Sequence, residues 1–305
     1  VEVAGSNPAS STFNHTPSIL VAFELKKKGY AEKTIAGYAK RLKHLEQNTD
    51  INTPETVKAY IANQADWSNP YKESMVNAYG HYVEYYGLTW KKPFYNRPER
   101  LPNVPTTEQL NKIIGASGKK YSLVFSILRD TGLRPVELAR SCLKNFDLER
   151  GLVSPQTAKG GSGRVLKLPA STIAMLKEYI GRQNVGINEK FFPSTDVMSH
   201  VWMRIRNRLA KKLAEPELKK YRLYDLRHYY ATMLYYRTKD ILLVKQQLGH
   251  RRIEHTLVYT HLINFQTDEY TCRCAYNLQE ATALIEAGFE YVTEMDSVKL
   301  FKKRK

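Results

Sequence analysis

From Pro17 to about Tyr95, apolar residues recur near every third or fourth position. This spacing predicts helices over 17–28, 32–47, 54–65 and 71–87. Turn signals separate them at Lys28-Gly29, Asn52-Thr53-Pro54 and Asn69-Pro70. The stretch KKPFYNRPERLPNVP (91–105) has four prolines and no periodicity, so it reads as a linker, centred on 96–105. Helical spacing returns at 106–117 and 120–132, where Thr106 is expected to cap the helix and Gln109 to reach back. Over 144–169 the period changes. Short Val, Leu and Phe runs, broken at Glu149-Arg150-Gly151 and at 159–163, predict three antiparallel strands. Helices follow at 170–182, 196–213, 224–236 and 240–247. The tail reads as a helix (NLQEATALIEAG), a strand (FEYV), a turn at 294–297, a second strand (VKLF) and a basic end.

The expected fold is therefore mainly α with a small antiparallel β-sheet (α+β). A helical domain spans 17–95 and a second domain 106–265. A helix plus β-hairpin with a basic tail occupies 266–305. Residues 1–16, rich in Ser, Asn, Thr and Pro, predict a poorly ordered leader that lacks the basic and apolar blocks of a signal peptide.

Charge narrows the partners. The net charge of +17 is unevenly spread: residues 101–263 hold 28 Lys and Arg against 13 Asp and Glu, residues 1–100 hold 13 against 10, and residues 264–305 hold 6 against 7. A polyanion suits the middle segment, and nucleic acid is the commonest one. A membrane-surface protein would need an amphipathic helix with a clean lysine face, which that segment lacks, and no apolar run is long enough to cross a bilayer. The three cysteines, Cys142, Cys272 and Cys274, are too few for a disulfide framework and point to a reducing compartment. Cys272-Arg273-Cys274 has no second ligand pair for zinc, so no metal or cofactor is expected.

Four stretches carry candidate chemistry: TGLRPVEL (131–138), TAKGGSGRVLKL (157–168), LYDLRHYYATM (223–233) and LGHRRIEHTLVYTHL (248–262). In this order, with Tyr259 nine residues after His250, they resemble the tyrosine recombinase (phage integrase) family. The resemblance covers about 101–262, and residues 17–90 look like that family's helical core-binding domain. It implies Arg134, Lys159, Arg227, His250 and Tyr259 as catalytic residues. The family's second box normally begins with His or Lys, and Tyr224 stands there instead. Tyr224 is retained as a candidate phosphate donor.

The residue chemistry agrees with the resemblance. Breaking and resealing a DNA strand while conserving its bond energy calls for a covalent intermediate. A tyrosine hydroxyl, with an ordinary pKa of about 10, is a poor nucleophile at neutral pH and needs an electrostatic pocket. Arg134 and Arg227 can donate paired hydrogen bonds to the non-bridging phosphate oxygens. His250 can add a third donor or take the tyrosine proton, and Lys159 can protonate the leaving 5′ oxygen. With no acidic cluster for Mg²⁺ beside them, cationic side chains take the place of a metal. Glu137 is expected to orient Arg134 or an adjacent backbone and to do no chemistry. His228 reads equally as a supporting partner or as a phosphate contact. The basic residues expected to meet DNA are Lys40, Arg41, Arg164, Arg204, Arg206, Arg208, Arg251 and Arg252.

The tail EAGFEYV…KLFKKRK is similar to the end of archaeal integrases of the fusellovirus and plasmid type. The peptide Gly5-Ser6-Asn7-Pro8-Ala9 can be encoded by GGT TCG AAT CCC GC, which reads like the T arm of a tRNA gene. The resemblance thus implies a cytoplasmic, nucleoid-associated integrase acting on double-stranded DNA at a tRNA gene, a monomer when free and a homotetramer on paired sites. A Xer-type dimer resolvase and a topoisomerase IB-like nicking enzyme share the same catalytic set. A catalytically silent DNA-binding protein of this fold would need a broken pocket, and only Tyr224 departs from the pattern.

Overall fold

The computed structural model describes residues 17–97, 101–158, 160–183, 185–262, 270–295 and 297–304. The expected leader, 1–16, lies outside them. The chain divides into two compact units, Val1–Arg100 and Leu101–Lys305.

In the first unit the periodic blocks fold as α1 (Pro17–Lys27), α2 (Glu32–Asn48), α3 (Pro54–Asn63) and α4 (Asn69–Tyr86). Their inward stripes meet in a core that includes Leu42, Leu45, Ile61, Met75, Tyr79 and Tyr82. The two buried tyrosines keep their hydroxyls paired: Tyr79 donates to the Ile51 carbonyl at 2.9 Å and Tyr82 to Asn52 Oδ1 at 2.8 Å. Gly87 ends α4 in the left-handed region (φ 65°), where a side chain would be strained.

The second unit begins with α5 (Thr107–Gly115) and α6 (Lys119–Thr131). The expected capping box is present: Thr106 Oγ1 accepts from the Gln109 N–H at 3.2 Å, and Gln109 Oε1 accepts from the Thr106 N–H at 3.0 Å. After α6 comes a short α7 (Pro135–Arg140), which periodicity could not reveal at six residues. The three expected strands are β1 (Phe146–Asp147), β2 (Leu152–Val153) and β3 (Leu166–Lys167), two residues each, paired antiparallel in the order β1-β2-β3. The helices α8 (Ala170–Arg182), α9 (Thr195–Lys212), α10 (Asp225–Thr238) and α11 (Ile241–Leu248) follow, then α12 (Glu254–Leu257) and a 3₁₀ turn over Val258–Leu262. Their shared core packs Phe125 edge-on to Trp202, with centroids 4.9 Å apart, beside Leu110, Leu138 and Leu226. Trp202 Nε1 donates to the Tyr221 carbonyl at 3.1 Å.

The tail departs from the expected hairpin. A strand β4 (Tyr270–Ala275) precedes α13 (Leu278–Glu286), β5 (Glu290–Met295) and β6 (Val298–Arg304), and the order is β4-β6-β5. The last strand is therefore central, with Cys274 opposite Leu300 and Arg273 opposite Phe301. YTCRCA has no run of large aliphatic residues, so the helix plus hairpin expected for 266–305 did not include it. Ala275, Ala281 and Phe301 form a small separate core here.

Thr106→Ala removes the hydroxyl half of the capping box and is expected to cost about 1 kcal/mol. For a unit of this size that is a fall of about 2–4 °C in Tm, read by calorimetry. An unchanged Tm would mean that the box is made but adds nothing.

Candidate active site

Three helix termini and one loop bring the candidate residues together. Gly132 caps α6 and Gly249 caps α11, both in the left-handed region (φ 63° and 64°). Arg227, on the first turns of α10, bridges these two ends: Nη1 donates to the Gly132 carbonyl and Nη2 to the Leu248 carbonyl, each at 2.6 Å. The side chain is almost fully buried, and its Nε has no acceptor. Burial lowers the guanidinium to about 10, with the Arg134 and Arg164 charges adding to the effect. It is still protonated at neutral pH, so the pocket holds fixed positive charge.

Arg134 caps α7, and its backbone N–H and Nη1 both donate to Glu137, at 3.0 and 2.9 Å. The same carboxylate accepts from the Ala158 N–H at 3.3 Å and from Arg164 at 3.3 and 2.6 Å. Burial pushes the Glu137 carboxyl up, but the Arg164 hydrogen bond and charge, with those of Arg134, outweigh it and hold the group at about 2. The segment from Ala158 to Arg164 is thus tied at both ends to one buried carboxylate. In its middle, the Ser162 N–H donates to the Gly249 carbonyl at 3.3 Å. Gly161 passes so close that a methyl group there would stand 3.0 Å from the Gly249 carbonyl oxygen. Lys159, expected on this segment as a proton donor, lies outside the described residues.

Tyr259, on the 3₁₀ turn, is 2% exposed, and its hydroxyl sits 3.0 Å from His228 Nδ1. Burial raises its pKa well above the ordinary tyrosine value, against the opposing pull of Arg227 and Arg134. His228 in turn meets Tyr224 edge-on, with ring centroids 5.3 Å apart. Burial and then the Arg227 charge lower His228 to about 4, so its ring is neutral. His250 Nδ1 lies 3.0 Å from the hydroxyl of the wholly buried Thr256. A buried hydroxyl proton without an acceptor is costly, so Thr256 donates to Nδ1 and the His250 proton stays on Nε2. Burial, followed by the Arg227 and Arg134 charges, lowers His250 to about 3. His250 is therefore a neutral N–H donor.

The structure gathers Arg134, Arg227, His250 and Tyr259 in one pocket and adds His228, whose contact with the tyrosine hydroxyl spacing alone could not reveal. Tyr224 stands at its edge, 42% exposed. Arg164, expected at the DNA surface, instead lies inside the protein with its side chain 1% exposed against Glu137. With both groups out of water, loss of either partner would leave the other charge buried and uncompensated. Arg206 is also drawn inward: Nη1 donates to the Tyr221 carbonyl, and its buried Nε has no partner. Arg41 bridges within its own unit to Ser74 Oγ (3.0 Å) and the Gly37 carbonyl (2.7 Å). Lys40, Arg204, Arg208, Arg251 and Arg252 are exposed. Arg208 reaches the Ala116 carbonyl at 3.4 Å, and Arg252 lies 3.6 Å from Glu254. A methyl group on Gly160 would lie 3.7 Å from the Arg251 guanidinium, so that arginine flanks the loop.

The profile of the Phage integrase family matches residues 104–264, more than half of the chain and all of this pocket. The chain belongs to the phage integrase family. It is similar to the tyrosine recombinase XerA of Saccharolobus solfataricus, with 31% identity over 156 residues, covering 51% of this chain and 50% of the relative. It is also similar to the XerA of Pyrococcus furiosus, with 27% identity over 180 residues, covering 54% and 59%. The chain thus spans little more than half the length of these curated relatives. Among solved structures, the Tn1549 transposon integrase in complex with circular intermediate DNA superposes with a TM-score of 0.62 at 18% identity, covering 90% of this chain and 99% of that one. That likeness bears on the fold.

Because the Glu137 carboxyl is held below its unfolded value, the stability that it contributes is present above about pH 4.5. It is lost as pH falls through about 2. Glu137→Gln leaves two buried guanidiniums facing a neutral amide and is expected to cost about 3–5 kcal/mol. Urea unfolding at pH 7 and pH 3 measures both effects, and the wild-type-to-variant gap should narrow at the lower pH. A gap that widens on acidification would contradict the assigned ionisation.

Proposed function

We propose that this integrase-family protein is a site-specific DNA recombinase that cleaves and rejoins strands through a covalent 3′-phosphotyrosyl intermediate on Tyr259. The observation that carries this reading is the convergence of Tyr259 with two guanidiniums and a neutral His250 N–H. Arg227 joins the two helix ends that frame them. Tyr259 Oη attacks the scissile phosphorus while the bond to the 5′ oxygen breaks. Arg134, His250 and Arg227 donate to the non-bridging oxygens as charge builds on them. The buried Nε of Arg227, unpaired without DNA, would gain an acceptor from an entering phosphate. Lys159 is assigned by resemblance as the proton donor to the leaving 5′ oxygen. Tyr224, at the mouth of the pocket, is a further candidate donor. No helix of the described residues is long and apolar enough to cross a membrane, and the charge of the middle segment suits duplex DNA.

The finer reading is integration at a tRNA gene by a protein that is monomeric when free and tetrameric on paired sites. Its motive is the T-arm-like coding potential of Gly5-Ser6-Asn7-Pro8-Ala9. A duplex carrying the 3′ half of a tRNA gene is expected to recombine and a scrambled duplex not to. Equal recombination on both would remove the tRNA-gene target and leave the catalytic assignment standing.

The catalytic reading is tested by trapping. Wild type is expected to give a covalent protein–DNA band on a nicked attachment-site duplex without added metal, and Tyr259→Phe none while still binding. Arg134→Ala should slow adduct formation by about 10²–10³ with little loss of affinity. Affinity should fall with salt at a log–log slope of about −0.9 per neutralised phosphate. An adduct of normal yield from Tyr259→Phe would end the assignment of the nucleophile.

A further inference from the structure

A neutral phenol attacking phosphorus must lose its proton, and the catalytic set carried over from the motifs leaves the acceptor open between His250 and another group. The geometry points to His228 as a further catalytic residue, the base that takes the Tyr259 proton. This deepens the phosphotyrosyl reading and rests on it. His250 is disfavoured as that base because its Nδ1 is engaged with the Thr256 hydroxyl, and the hydrogen-bond contact of the Tyr259 hydroxyl is with His228. His228 is placed the other way round. Its Nδ1 lies 3.0 Å from the Tyr259 hydroxyl. That hydroxyl, nearly fully buried, must donate somewhere, and Nδ1 is the acceptor it meets.

The groups around the imidazole suit a base that works only when substrate is present. Arg227 on α10 lies next to it in sequence, Tyr224 packs edge-on from the start of α10, and Tyr259 closes it from the 3₁₀ turn. Burial and the Arg227 charge keep the ring a weak base. A phosphate anion docked against the arginines offsets that charge, and His228 becomes more basic as the attack begins. The step balances as follows: the Tyr259 Oη–P bond forms, the P–O5′ bond breaks, and the phenolic proton passes to His228 Nδ1. The leaving 5′ oxygen takes its proton from the assigned donor, Lys159. In religation the 5′ hydroxyl attacks phosphorus and gives its proton back to Lys159, the P–Oη bond breaks, and His228 returns its proton to Tyr259. One histidine thus serves both directions without net proton change.

The alternative is that His228 only holds the tyrosine in place, and two variants of the full chain separate the roles. His228→Asn sets an amide oxygen near the position of Nδ1, which can accept the hydrogen bond but not the proton. His228→Ala opens a space for added imidazoles of graded base strength. Adduct formation on a nicked attachment-site duplex is measured alongside DNA affinity and Tm. The Asn variant is expected to bind DNA normally and to form adduct about 10²–10⁴ more slowly, with religation slowed by a similar factor. Added imidazoles should restore the Ala variant, the stronger bases more. An Asn variant within about threefold of wild type, or a rescue indifferent to base strength, would overturn the proposal. Should the Asn variant not fold, the slope of the Ala rescue decides alone. A wild-type protein that forms no adduct would instead reject the phosphotyrosyl reading on which this one stands.

Discussion

The Glu137 carboxylate is the fixed point of the second unit. It accepts from the Arg134 backbone and side chain, from the Ala158 N–H and from both terminal nitrogens of Arg164. A buried carboxylate costs several kcal/mol in desolvation, and only charged partners with good geometry offset that. Once offset, the arrangement has few alternatives. The start of α7, the segment that bears Lys159 and the end of α11 are held against one another, and Arg134 has its direction set by a group that cannot move. Arg227 does the same from the other side by closing on two carbonyls at glycine-capped helix ends.

The cost of this construction shows in the ionisations. Burial first, and the Arg227 charge after it, keeps both pocket histidines neutral, with Arg134 and Arg164 adding to the effect at His250. The same burial makes Tyr259 a weaker acid than free tyrosine. The site therefore sets strong positive potential beside a tyrosine whose proton is hard to remove. Under the proposed function a phosphate complements that state, because its charge would relieve the repulsion among the cations.

Much of this was legible in the chain. The helices of the first unit followed from 3.6-residue spacing, and the Thr106–Gln109 box from its four-residue signature. The Arg134, Arg227, His250 and Tyr259 set followed from motif order. Arg164 was expected to meet DNA because arginines in a basic segment usually face a polyanion. It instead pairs with the buried Glu137, and charge type carries no information about which acceptor is nearest. The strand β4 escaped because it has no run of large aliphatic residues, and α7 because six residues hold less than two turns.

By itself the sequence determined most of the elements and the family, since these depend on local periodicity, capping and fixed motif spacing. Only the tertiary structure decided which nitrogen of each histidine is free, which arginine is buried, and that His228 rather than His250 meets the tyrosine hydroxyl. The reason is physical. Local structure is set by neighbours a few residues away, whereas these contacts join residues up to 95 positions apart, as Arg227 does with Gly132. Their geometry is fixed by packing that no short stretch encodes.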